Sequence, residues 1–433
     1  MRNALLFAAD LPPLPGLPTR SGGMRAHQLA RLLEASGYRV RVSCPLEGSL
    51  EPGQLKRVPA EFLELCHRRR TQAEICRELK PDLVVFASSW IVLTGAWVPE
   101  PPVLIDLCGP MIVESALNFG AGPEAVANLL RRKLAVLSHG DWFLCAGRRQ
   151  QWYFRQALVM AGIGLDGPTP LSVLPFGADP EWIVERDYPA EPRFVYAGGL
   201  YPWQDPEPAI LAILERLEAR GRGRFEWIGG LTRFADRALA ERYERLGARI
   251  EASPRASRRG HLPLDELLPV LRGMSVAVEW MRPNAERELA VPARTPLNLA
   301  MGLPVLANDY AEAAEDLRAA GAGWALDAAD PRALPRAVDE VLDDPARVER
   351  MGRDALALAR RLAWPPLDEA ARAFLLRPAP REGKRPQPLE RAFPPMTPGE
   401  LAVLRALRSA PLQLLRRALG PCYRLFTGSA RKD

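Results

Sequence analysis

Short, unbroken apolar runs alternate along most of this chain with stretches whose leucines recur at helical spacing. ALLFAA (4–9), LVVFAS (83–88), VLIDLC (103–108), WFLCAG (142–147) and LSVLPFG (171–177) have strand length. Continuous runs of this kind suit strands covered on both faces by helices. After the first run come a Pro/Gly loop (11–23) and a helix expected over 24–36, with Leu29, Leu32 and Leu33 on one face and Gly37 closing it. RVRVSC then reads as the next strand. The unit is βαβ, which predicts a parallel sheet.

A charged, proline-bearing stretch (178–192) breaks the pattern and reads as an interdomain linker. A second alternating set follows. RFVYAG (193–198), RFEWIGG (224–230), ARIEA (248–252), SVAVEW (275–280), LPVLAND (303–309) and WALDA (324–328) are expected strands. Helices are expected over 206–220, up to Leu246, over 263–272, from Arg294 to Gly302, and over 331–342 and 345–363. The last is entered through Asp344-Pro345, a cap followed by a first-turn proline. The expected architecture is α/β: two Rossmann-like doubly wound domains, 1–178 and 190–359, facing across a cleft, with 360–378 packing back on the first. Residues 377–395 read as a flexible Pro-rich linker. The rest of 379–433 reads as basic amphipathic helices, opened at Thr397-Pro398-Gly399-Glu400 by capping-box spacing.

Composition narrows the classes. The chain has 433 residues, enough for two or three domains, and 48% are hydrophobic, which excludes wholesale disorder. No apolar run reaches the roughly 18 residues that span a bilayer. The net charge is +6, almost all of it from arginine over acid, since only five residues are lysine. The six cysteines are scattered, and neither a disulfide framework nor a metal site is expected. The N-terminal run reads as a strand and not a signal peptide, so a cytoplasmic location is expected. No P-loop, nucleophile elbow or nucleic-acid motif appears.

The chemistry-bearing residues sit where parallel sheets bind ligands, at strand carboxyl ends. Gly22-Gly23 before the first helix, with Arg25 in its first turn, reads as an anion loop or as a plain βα turn. A cation in a first turn requires a negative partner. Gly198-Gly199 repeats the arrangement in the second domain, followed by Trp203, which fits a sugar or base pocket. Asp205-Pro206 carries the simpler reading of cap and first turn. Asp106 ends a strand. Glu114 either joins its pocket or lies on a solvated helix face. Arg294 precedes a short helix and would grip a pyrophosphate with a bidentate fork.

From Arg294 through Ala300-Met301-Gly302-Leu303-Pro304-Val305 the sequence resembles the GT-B glycosyltransferases, in particular the retaining family-4 type of bacterial surface-polysaccharide genes. The likeness extends to SGGMRAHQLARLLEASGYRVRV, to Ile105-Asp106-Leu107-Cys108-Gly109-Pro110 with Glu114, to Asp141 through Ala146 with Arg149-Gln150, and to Gly198 through Pro206. It covers about residues 1–378 and leaves out the tail. The resemblance implies a nucleotide-diphosphate sugar as co-substrate, no other cofactor, no metal, and transfer with retention. It places the donor on Gly198, Gly199, Trp203, Asp205, Arg294, Thr295 and Asn298. The acceptor (a glycan, a lipid-linked sugar or a small molecule) would meet Gly22, Gly23 and Arg25. Asp106, Arg294 and Glu288 become the catalytic candidates. A peripheral contact with a membrane surface is expected through 397–420, and none with nucleic acid.

The sequence departs from the family where it carries Leu297 and Leu289 in place of two acids. Asn298 stands beside the first, and Glu288 or Glu286 stands in for the second. The family's Arg/Lys pair after the second domain's first strand is replaced by Gly-Leu-Tyr-Pro-Trp. A glycosyltransferase-like binding subunit without activity is therefore the alternative.

Overall fold

The computed structural model describes residues 2–387 apart from 47–49, 51, 67–70, 90–98, 121, 232–234 and 365. It contains two six-stranded parallel sheets. The N-lobe sheet comprises β1 (Arg2–Phe7), β2 (Tyr38–Ser43), β3 (Leu83–Phe86), β4 (Val103–Asp106), β5 (Trp142–Cys145) and β6 (Leu171–Val173), in the order β2-β1-β3-β4-β5-β6. The C-lobe sheet comprises β7 (Arg193–Ala197), β8 (Arg224–Ile228), β9 (Ala256–Arg259), β10 (Val276–Glu279), β11 (Val305–Asn308) and β12 (Gly323–Leu326), in the order β12-β11-β10-β7-β8-β9.

The apolar runs fill both faces of each sheet. Along β1, Ala4 and Leu6 enter one core while Leu5 and Phe7 enter the other. Along β7, Phe194 and Tyr196 join one core and Val195 the opposite one. The two-residue period of a strand sends alternate side chains to opposite helical layers, so a doubly covered strand is apolar throughout. Strand order reverses between β1 and β3 and between β10 and β7. These are the points where adjacent crossovers leave for opposite faces and a crevice opens.

Three expected features are corrected. The stretch 248–252 is not a strand but the end of the helix Arg237–Glu251, which buries Leu239, Leu246 and Ile250 at helical spacing. The first helix spans Ser21–Ala35, so Gly22 and Gly23 lie in its first turn and not in a loop. Residues 377–387 are docked and not loose. The Arg381 amide and the Lys384 ammonium both reach the Asp141 carboxylate at 2.8 Å, and the Gln387 amide donates to the Ser138 hydroxyl.

The chain passes between the lobes twice. The segment 178–192 is firmly packed: Tyr188 donates to the Gly302 carbonyl at 3.0 Å, and Trp182 stacks on His27. After the helix Pro345–Leu362, the helix Glu369–Leu376 returns to the N-lobe and puts Phe374 and Leu375 into its core. There the Leu375 carbonyl accepts from the Tyr38 hydroxyl. The expected tail helices, 397–420 among them, lie outside the described residues. Among the described residues no helix is long and apolar enough to cross a membrane.

Candidate active site between the lobes

The carboxyl ends of both sheets meet at a cleft pinned at its two flanks. On one flank the Gly16 amide, in the loop after β1, donates to the Asp265 carboxylate of the C-lobe at 3.0 Å. On the other, Glu312 of the C-lobe caps the N-lobe helix Arg148–Met160. Its two oxygens accept from the Arg148 amide at 2.7 Å and the Arg149 amide at 3.0 Å. A helix N-terminus offers unpaired amides and partial positive charge, so a carboxylate seats well there. Gly147 leaves room for it, since a Cβ there would lie 2.7 Å from Glu312 Oε2. Arg149 and Gln150 add donors to the carbonyls of Glu288 and Leu289. We expect Glu312→Ala to lose about 1 kcal/mol of capping energy. Hydrogen exchange at the Arg148 and Arg149 amides reads this directly, with protection falling about fivefold.

Between the pins, at the β10/β7 switch point, two glycine pairs lie side by side. The Gly198 amide donates to the Ile228 carbonyl at 2.8 Å, and the Trp227 indole donates to the Gly198 carbonyl at 2.9 Å. Gly229 has φ +148°, and a Cβ there would collide with the Gly198 carbonyl. The Gly199 amide donates to nothing among the described residues, although Gly199 is buried. An unpaired buried amide is a rare and costly feature, and its natural ligand is an anion.

Arg294 is built against this notch. Its guanidinium donates to Glu279 through Nε at 2.8 Å and Nη2 at 2.9 Å, and through Nη1 to Gln204 at 3.2 Å and the Tyr196 hydroxyl at 3.4 Å. Burial opposes its charge, but Glu279 outweighs burial and holds its pKa above the ordinary value. Burial pushes the Tyr196 phenol up to about 12, so it stays a neutral donor, bonded to the Gly199 carbonyl at 2.9 Å. A Cβ at Gly198 would collide with Arg294 Nη1, so the glycine is what admits the arginine.

The other donor-side residues are distributed as follows. Trp203 is half-buried beside Tyr201, with ring centroids 5.1 Å apart, and its carbonyl accepts from Asn284. Asp205 is buried and bonds the Glu207 amide at 3.2 Å, the first turn of its own helix, and pairs with Arg242 and Arg282. Thr295 and Asn298 are buried on the helix Arg294–Ala300, and Asn298 Oδ1 has no hydrogen-bond partner among the described residues. Glu288 is exposed, whereas Glu286 is buried and held in a bidentate pair by Arg287 at 2.5 and 2.7 Å.

The N-lobe face differs from expectation most at Asp106 and Arg25. The two are bonded to each other through Nε to Oδ2 at 2.9 Å and Nη2 to Oδ1 at 2.8 Å, at 0% and 1% exposure. Arg25 Nη1 also donates to Gln28 and the Leu174 carbonyl. The negative partner that a first-turn arginine requires is thus Asp106, and both groups are closed off from the cleft. Burial lowers the Arg25 pKa and Asp106 more than restores it. The pair ties the first helix to β4 and to the loop after β6. Gly23 serves packing, because a Cβ would strike the Leu11 carbonyl. What the first helix presents to the cleft is its start: Arg20 at the N-cap, paired with the Asp10 carboxylate at 3.8 Å, and Gly22 beside the same carboxylate. Arg20 bears on His261 of the C-lobe, which lies against Gly230. Burial first and Arg20 second lower the His261 pKa, so its imidazole is neutral at pH 7. Sequence reasoning passed over Arg20, His261, Tyr196 and Glu279. Of these, Glu279 was open to inference, as an acid ending a buried strand.

No protein-family model and no curated protein matches the chain in sequence. Solved structures do match in shape. Sucrose-phosphate synthase from Thermosynechococcus elongatus superposes with TM-score 0.57 at 15% identity over 84% of this chain and 96% of that one. HepE from Anabaena, solved with UDP-glucose, gives 0.59 at 13% over 84% and 96%. WaaG, a glycosyltransferase of lipopolysaccharide biosynthesis, gives 0.57 at 12% over 86% and 99%. The likeness is one of architecture: this chain has the two-domain GT-B fold.

Proposed function

We propose that the protein is a glycosyltransferase that moves a sugar from a nucleotide-diphosphate donor to a hydroxyl acceptor in polysaccharide or glycoconjugate biosynthesis. The observation that carries this reading is the notch at the β10/β7 switch point: the Gly199 amide, without an acceptor among the described residues and backed by Arg294, opposite the start of the first N-lobe helix. The Gly199 amide and the start of the first helix, with Arg294 and Arg20, suit a diphosphate, whose charge grows as the sugar leaves. Glu279 already balances Arg294, so backbone amides carry more of the leaving group than the sequence implied. The rest of the chemistry is positioning. With the resemblance, transfer proceeds with retention, and no metal or further cofactor is needed.

UDP, GDP, ADP and dTDP in a thermal-shift series test the reading. One of them should raise Tm, with a stabilisation of about 2.7 kcal/mol at a hundredfold excess over Kd. No shift with any nucleotide would overturn it. UDP comes first, because HepE is solved with it. The inactive-subunit alternative draws on the matched Arg294–Glu279 pair and on Leu297 and Leu289 at two acidic positions of the family. Nucleotide binding without sugar release in the presence of acceptors would favour it.

A further inference from the structure

The helix Met111–Phe119, which follows β4, meets the helix Ala285–Leu289 of the C-lobe across the cleft. Glu114 lies on the first of these helices. It is walled in yet partly exposed, and it makes no hydrogen bond or ion pair among the described residues. Gly109, at φ +92°, comes so close that a Cβ would lie 3.0 Å from Glu114 Oε1. The carboxyl therefore rests against bare backbone. Around it stand Glu286 and Arg287 from the facing helix, Lys133 from the helix Pro123–Leu137, and Cys108 and Tyr153. Arg287 is engaged by Glu286, and Lys133 Nζ lies over the Phe154 ring at 4.3 Å.

These surroundings are expensive. Burial, with Glu286 adding to it, pushes the Glu114 carboxyl up to about 7, and burial brings the Lys133 ammonium down to about 7. A carboxylate held without a partner costs stability and persists where function needs it. Glu286 and Arg287 cancel each other, and near pH 7 Glu114 and Lys133 carry matched partial charges, so these surroundings favour neither an anion nor a cation. They favour a neutral ligand rich in hydroxyls, which an ionised carboxylate accepts from strongly.

We propose that Glu114 is the acceptor-binding carboxylate: seated between the helices Met111–Phe119 and Ala285–Leu289, it accepts hydrogen bonds from a polyhydroxyl acceptor and sets which acceptor enters. It belongs to the N-lobe, opposite the donor notch. The inference rests on the glycosyltransferase reading.

The test is Glu114→Gln, read in two ways. The first is Tm at pH 8 and at pH 5. A raised acid carries its full penalty above its folded pKa and sheds it as pH falls through that value. The variant should therefore melt higher than wild type at pH 8 and level with it at pH 5. Lower melting at both would mark Glu114 as structural and overturn the proposal. The second is saturation-transfer NMR at pH 8 with UDP present and glucose, galactose, mannose, maltose and lactose as probes. Wild type should bind at least one sugar, and the variant should bind it about tenfold more weakly, with UDP affinity unchanged by calorimetry. Equal sugar binding in the variant, or no sugar bound by a wild type that binds UDP, overturns the Glu114 assignment alone. A wild type that binds no UDP overturns the glycosyltransferase reading and this inference with it.

Discussion

Asp106→Ala will cost about 3–5 kcal/mol of folding stability, visible as a shifted urea midpoint with an unchanged slope. The loss comes less from the missing attraction than from what remains. Arg25 cannot shed its charge or turn to water, since its other bonds run to Gln28 and the Leu174 carbonyl inside the lobe. Replacing both partners by apolar residues, as in Asp106→Leu with Arg25→Met, should recover most of the loss, because no buried charge is stranded. A catalytic Asp106 would behave otherwise: the single variant would keep its midpoint and lose only turnover.

Gly198→Ala will lower sugar transfer about 100- to 1000-fold while leaving a folded protein, the scale set by loss of one charge-stabilising donor. The added methyl occupies the space of Arg294 Nη1 and drives the guanidinium from the notch. Arg294→Ala reaches the same rate but also strands Glu279, which is buried, and so loses stability as well. The two substitutions remove one device, so the double variant should transfer no more slowly than Arg294→Ala alone. An additive double variant would show that Gly198 acts on the donor by its own backbone. Initial rates of nucleotide release, set beside melting curves, separate the cases.

Much of the architecture was legible because doubly covered strands announce themselves as apolar runs. The strand that escaped, β9, reads Ala-Ser-Arg-Arg; it lies at the end of its sheet, where no second layer demands apolar residues. The preceding ARIEA looked like a strand because Ile250 sits between polar neighbours, yet Ile250 belongs to a helical stripe with Leu246 and Leu239. At the site, the glycine pairs and Arg294 stood out singly. What no spacing revealed was partnership. Arg25 and Asp106 are 81 residues apart, and each looked functional only while its partner was unseen. Glu114 fits a solvated helix face just as well until the other lobe is placed against it.

The return of the helix Glu369–Leu376 to the N-lobe has a consequence for biosynthesis. The C-lobe is contiguous in sequence and can fold as soon as it leaves the ribosome. The lobe translated first lacks Phe374 and Leu375 until the whole of its companion has been made, so it is the last to be completed. A chain ending before residue 369 would hold a finished back half and an unsealed front half.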